Sequence, residues 1–193
     1  MTRSSRLAVL GAALSLAVAL SGCRQGIDYI QVTPDVVTFK NRNEEEWLRA
    51  MPKSHTGTEY PKINVGWSVK DPSVATIDGT GKLHPVKSGR TEVVASIGDV
   101  KAVVPVEIIL IEKMKVEPEL LVLKEDGEPR DFKVKFFDYL GRELRDRKAT
   151  FSSSDKKVVT LAEERAFPGS RGTAKVEIRA GELRQVVEVK VEK

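Results

Sequence analysis

Cysteine is almost missing from this chain. Cys23 is the only one in 193 residues. No internal disulfide can brace a domain, so each folded unit must be held by its apolar core alone. Histidine is scarce too. His55 lies in the connection after Pro52, and His84 sits in a short strand-like run before Pro85. Neither has a His, Cys or carboxylate at metal-ligand spacing, so no metal site is expected. Asp71, Asp78 and Asp99 stand in separate turns with no D-x-D-x-D run, short of the roughly six to eight oxygens that calcium takes. Basic and acidic residues are interspersed, and no lysine or arginine run dominates. A nucleic-acid partner, which needs a one-signed patch, is therefore not expected.

Convergent catalytic groups are missing as well. Ser152-Ser153-Ser154 has no flanking glycines to make a nucleophile elbow. Gly169-Ser170-Arg171-Gly172 lacks the following lysine and helix of a phosphate loop. Glu44-Glu45-Glu46 reads as a solvated loop end. No acidic pair shared between strands is recognisable, as glycoside hydrolysis would need. The reading is therefore no catalytic residue, no cofactor and no small-molecule substrate.

What the chain does have is one pattern written twice. Val32 and Pro34 recur as Val116 and Pro118, Trp67-Ser68 as Phe151-Ser152, and Val74, Thr76 and Ile77 as Val158, Thr160 and Leu161, at a constant offset of 84 residues. Past a one-residue deletion, Gly98, Val104 and Val106 recur as Gly181, Val187 and Val189, 83 residues on. Shared spacing over that length implies two copies of one structural unit. At roughly 80–85 residues apiece, each is large enough to fold on its own core.

The N-terminus carries Arg3 and Arg6, then an uncharged, mostly apolar run from Leu7 to Leu20. That is the length of a signal-peptide core and short of the roughly 20 residues of a membrane-spanning helix. Leu20-Ser21-Gly22-Cys23 follows, and it resembles the lipobox of bacterial lipoproteins. The resemblance implies that Cys23 is acylated and becomes the mature N-terminus, which joins the protein to a membrane through its lipid. Arg24, where Asp would retain such a protein in the inner membrane, points to the outer membrane. Removing Arg3 and Arg6 with the signal peptide from the 32 Lys+Arg leaves 30 against 28 Asp+Glu, a nearly neutral, solvated surface.

Short strand-like runs recur with turn signals between them. Val187, Val189 and Val191 share one face while Glu188, Lys190 and Glu192 share the other, and Phe132, Val134 and Phe136 alternate with Asp131, Lys133 and Lys135. Period-two patterning with one polar face predicts half-buried antiparallel strands, and many such strands at regular spacing predict a sandwich or barrel. Beyond the signal-like run no stretch keeps a helical period. Eight runs are predicted in each repeat, among them a single strand over Trp47–Met51 and its counterpart over Phe132–Phe137.

The run Trp67-Ser68-Val69-Lys70-Asp71-Pro72-Ser73-Val74-Ala75-Thr76-Ile77-Asp78, then Gly81-Lys82-Leu83 and Lys87-Ser88-Gly89-Arg90-Thr91, resembles the signature of the group 2 bacterial immunoglobulin-like domains. Repeat two keeps it loosely from Phe151 to Leu161, with Phe151 for the tryptophan and Ala162-Glu163 where the turn Asp and Gly should stand. The resemblance implies an all-β chain: two tandem Ig-like antiparallel β-sandwiches after the signal peptide. The division is 1–23 signal peptide, 24–111 first sandwich and 112–193 second sandwich. Trp67 and Phe151 should fill equivalent core sites. Between the repeats stand only a few residues, none of them Gly, Ser or Pro, so a stiff joint is predicted.

These features point to a non-catalytic, lipid-anchored envelope protein, an adhesion or spacer module binding an unidentified envelope protein or a glycan. An accessory subunit of an envelope complex, docking by strand addition, is the alternative, with a cell-wall glycan hydrolase behind it. The repeat supplies an internal control for a binding face. Leu48 and Ala50 align with inward-pointing Phe132 and Val134, so Trp47, Arg49 and Met51 should point outward. Repeat two has Asp131, Lys133 and Lys135 at those places. Exposed Trp, Arg and Met together are typical of binding hot spots. Two alternatives stay open: the N-terminal segment or the Pro52–Pro61 loop covers Trp47, or Pro52 shifts the register.

Overall fold

The computed structural model describes residues 26–193; the predicted signal peptide and Cys23 lie outside them. Among the described residues there is no helix and no span long and apolar enough to cross a membrane as one. Strand alternation decides the architecture. In the first half, β2 (Val37–Phe39), β9 (Val100–Ile108), β8 (Gly89–Ile97) and β5 (Gly66–Val69) form one sheet in that order. Opposite it, β3 (Glu46–Trp47), β7 (Lys82–Pro85) and β6 (Ala75–Ile77) form a second. There β1 (Tyr29–Thr33) pairs with β4 (Arg49–Lys53).

The second half repeats this order. One sheet runs β11 (Leu120–Lys124), β18 (Leu183–Glu192), β17 (Gly172–Ala180), β14 (Thr150–Ser153). The other runs β12 (Arg130–Asp131), β16 (Arg165–Pro168), β15 (Val159–Ala162), with β10 (Lys113–Glu117) paired to β13 (Lys133–Phe137). Register repeats as well as order. Tyr29 faces Lys53 as Lys113 faces Phe137, and Trp67 faces Ala95 as Phe151 faces Ile178.

Two expectations need amending. The sandwiches are not wholly antiparallel, because β2 runs parallel to β9 and β11 parallel to β18. In each half the chain crosses from one sheet to the other at Pro34 and Pro118. Beyond each proline the chain leaves its partner in one sheet and lines the edge of the other. The Trp47–Met51 run is also two strands rather than one. Leu48, 2% exposed, points into the core while its amide donates to the Gly81 carbonyl at 2.8 Å. There the strand changes partner from β7 to β1. Phe132 does the same in repeat two, donating to the Glu164 carbonyl at 2.8 Å.

Two apolar clusters fill the sandwiches. Val93, Val104 and Ile108 sit at the centre of the first, and Val176, Val187 and Val189 at the centre of the second. Each such side chain contributes ~1.5–3 kcal/mol on burial. Trp67 and Phe151 are half-buried and packed against the clusters from the flank. Phe151 stacks on Phe132 with centroids 5.9 Å apart. Gly81, at φ +89°, lets this flank close: a Cβ there would stand 2.5 Å from the Leu48 carbonyl and 3.2 Å from the Trp67 ring.

The one-residue deletion falls in the turn beside that flank. In repeat one, Asp78 accepts bonds from the amides of Thr80 and Lys82 and from the Thr80 hydroxyl, which holds a wide loop. Repeat two closes with the tighter Glu163-Glu164 turn, and Glu163 takes φ +52°, a region that favours glycine.

The joint between the halves is packed. Leu110 belongs to the first cluster, and its amide donates to the Ser88 hydroxyl, which donates to Glu112. From repeat two, Arg147 reaches back to give a bond to the Ile109 carbonyl at 3.0 Å, and its side chain is only 10% exposed. Lys40 pairs with Asp146 at 2.6 Å, and Arg42 with Glu182 at 3.2 Å. A further chain of charges runs Arg90–Glu107–Arg142–Asp138. Burial would raise the Asp138 carboxyl, but the Arg142 and Leu140 amides and the Arg142 guanidinium outweigh it and hold it below the ordinary value. The Lys40 ammonium lowers Asp146 in the same way, against a smaller opposing effect of burial.

Trp67→Ala should cost ~3 kcal/mol in denaturant unfolding, the low end for an aromatic truncated in a core, because part of the ring is open. Arg147→Ala should broaden the spread of distances between spin labels placed one in each half; an unchanged narrow distribution assigns the stiffness elsewhere. Both lowered aspartates stabilise fully above the ordinary aspartate value of 3.8, and that stabilisation is lost as pH falls through their folded values. Scattering should therefore show the particle loosening only below about pH 3.8, with no change from pH 7 to 5.

Candidate binding face

The outer face of the β3–β7–β6 sheet is built around Trp47. Because Leu48 turns inward, Trp47 turns outward and is 51% exposed. Its register partner across the ladder is Lys82, whose Nζ lies 5.6 Å from the ring centroid. Glu45 holds that lysine at 2.6 Å, and His84 Nδ1 is 3.5 Å from the same carboxylate. The Lys82 hydrogen bond holds the Glu45 carboxyl below its ordinary value, with burial opposing and the charges of Lys82 and His84 adding. A cation over an exposed aromatic contributes ~0.5–1 kcal/mol. The group is a ring edged by charge, presented on the outer face of the sheet.

Arg49 and Met51 continue the same line on β4, facing Thr33 and Gln31 of β1. Arg49 is exposed and Met51 half-buried, while Ala50 between them packs on the core. The three residues thus lie along one strand line, but Trp47 belongs to one ladder and the other two to the next. Arg49 also borders an open groove of about 530 Å³ that runs past Val65, Trp67 and Thr80. Repeat two has its counterpart, about 700 Å³, past Ala149, Phe151 and Glu163.

Where Trp47 faces Lys82, repeat two has Asp131 facing Arg165, joined through both oxygens at 2.6 and 3.1 Å. The Arg165 hydrogen bond keeps the Asp131 carboxyl low against a smaller effect of burial. Sequence reasoning missed Lys82, Glu45 and His84, because only the ladder register brings them to Trp47. The signal available was the 83-residue offset that pairs Lys82 with Arg165.

No family model matches the chain. Over 90 residues it is 27% identical to a polysaccharide lyase 8 family protein, HylA, of Enterococcus faecalis. That match covers 46% of this chain and 6% of the relative's length. Among solved structures it is similar to FdeC, an Escherichia coli adhesin, with a TM-score of 0.51 and 14% identity over 85% of this chain and 63% of that one. The fold is all-β and Ig-like. A looser likeness is to the S-layer protein SbsC, with a TM-score of 0.40 and 17% identity over 86% of this chain and 28% of that one.

In a Trp67→Phe variant, Trp47 is the sole tryptophan and acrylamide should quench it freely; strong shielding would show it covered in solution. Its emission should shift as pH falls below the ordinary glutamate value of 4.5, as Glu45 is protonated and releases Lys82. Glu45→Gln should remove that acid shift.

Proposed function

We propose that this chain is a non-catalytic, lipid-anchored module of the bacterial cell envelope, most simply of the outer membrane, that holds a protein or glycan partner on an Ig-like sandwich. Two tandem units, 24–111 and 112–193, carry it, and their kinship is with the group 2 bacterial Ig-like domains through the Trp67–Thr91 signature. The observation that carries the binding role is the contrast at one register position. One copy closes its outer face with an Asp131–Arg165 ion pair, and the other leaves Trp47 open beneath Lys82. The likeness to an adhesin supports a surface role through fold.

Docking by strand addition as an accessory subunit has one observation in its favour: Leu120 and Val122 are exposed on the edge strand β11. A glycan hydrolase is not favoured. Its best acid in the larger groove, Asp131, is bound through both oxygens and held low, the wrong state for a proton donor.

Cys23→Ala should accumulate as a larger precursor and leave the detergent phase on partitioning; a variant that still partitions with lipid overturns the anchor. Trp47→Asp, which installs the residue of repeat two, should lower retention on isolated envelopes at least several-fold with the unfolding midpoint unchanged. Undiminished retention overturns the Trp47 face.

A further inference from the structure

The equivalent outer face of repeat two is different in kind. The β10–β13 ladder sets Lys113, Lys115, Lys133 and Lys135 on one side, since Val116 and Phe136 point into the core, Met114 and Val134 pack against their cluster or strand neighbours, and all four lysines are exposed. Lys115 stands directly across from Lys135. Like charges placed opposite each other on a ladder destabilise it. The ion pairs of lysines among the described residues fall on Lys40, Lys53, Lys70, Lys82 and Lys190, and none of these four takes part in one. Two carboxylates border the face. Glu117 lies across from Lys133, and Glu143 bridges to Phe137. Repeat one places Tyr29, Gln31, Thr33, Arg49, Met51 and Lys53 on the matching ladder, and there Lys53 is neutralised by Glu59 at 2.9 Å. The fold therefore tolerates a nearly neutral face here, and only one copy has loaded it with unpaired cations.

We propose that the β10–β13 face of repeat two is a docking surface for an anionic polysaccharide. This rests on the reading of the chain as a binding module and adds a second surface to it, with a partner of stated chemistry. Charge complementarity selects a polyanion. The spread of the charges selects an extended polymer over a small anion, because the four exposed lysines are distributed along two neighbouring strands of one ladder. A bilayer fits less well. The aromatic ring of this face, Phe137, is half-buried with Lys115 Nζ 5.9 Å from its centroid, so no exposed apolar side chain stands among the lysines to enter a membrane.

The test is binding of the full chain, held in detergent micelles, to immobilised dextran sulfate and polygalacturonate, with neutral dextran, phosphatidylglycerol vesicles and duplex DNA as comparators. The wild type should bind both anionic polysaccharides and not dextran, and the affinity should fall steeply with salt. Lys115→Gln/Lys135→Gln removes two of the four charges. It should weaken binding roughly tenfold and cut the slope of log affinity against log salt by about half. Lys135→Glu makes the same two-unit change in charge and places an acid across from Lys115, so it should weaken binding at least as much and at the same time raise the melting temperature, a pairing of effects that general unfolding cannot produce. Undiminished binding in these variants overturns the proposal, as does preference for the vesicles or DNA over the polysaccharides. If the variants leave polysaccharide binding intact while Trp47→Asp removes it, the lysine face falls and the binding-module reading stands. If the wild type binds nothing while Trp47→Asp still loses its hold on envelopes, the lysine face again falls alone.

Discussion

A single backbone hydrogen bond, repeated once, organises each half of this molecule. The amide of Leu48 on the Gly81 carbonyl, and that of Phe132 on Glu164, pins the second strand where its side chain must dive into the core. From that pin the neighbouring residues acquire their directions. Trp47 and Arg49 turn outward because Leu48 turns inward, and Asp131 and Lys133 do so because of Phe132. The flanking aromatic also rests there, as the Phe132–Phe151 stack and the close approach of Gly81 to Trp67 both show. With no disulfide available among residues 26–193, this knot of amide, turn and ring helps to hold the two sheets of each sandwich in place.

Much of the strand layout was legible, and the reason is physical. Period-two alternation survives in sequence wherever one face is wet and the other dry, so runs such as Ala75–Ile77 and Leu120–Leu123 fall where β6 and β11 stand. The internal repeat was legible because the two copies share core volumes and turns. Pairing was not legible. Alternation says which way a side chain points but nothing of what lies across the ladder. Lys82 over Trp47 and Lys115 across from Lys135 are therefore facts of register alone. The same blindness hid the basic face, since its lysines alternate with Met114, Val134 and Phe136 along the chain and never form a run. The partner change at Leu48 also left no trace, because a buried leucine looks the same inside one strand as between two.

The joint illustrates a different limit. Short length and the lack of Gly, Ser and Pro argued for stiffness, but the contacts seen across the joint come from distant sequence. Arg147 and Asp146 reach Ile109 and Lys40, and Arg142 reaches Glu107. Individually, exposed ion pairs such as Lys40–Asp146 contribute little, ~0–1 kcal/mol. Their value is geometric. Several of them gather at the joint with the largely buried Arg147, whose Nε makes no hydrogen bond among the described residues.

The parallel pairing of β2 with β9, and of β11 with β18, has a mechanical consequence. Two strands that run the same way bring the chain in at one end of a sandwich and take it out at the other. Tension along the polypeptide then pulls the two strands past each other lengthwise, loading the rungs of the ladder together in shear. An antiparallel pair at that edge would have been peeled apart one rung at a time. Each sandwich in this chain is thus wired to carry a pull from end to end.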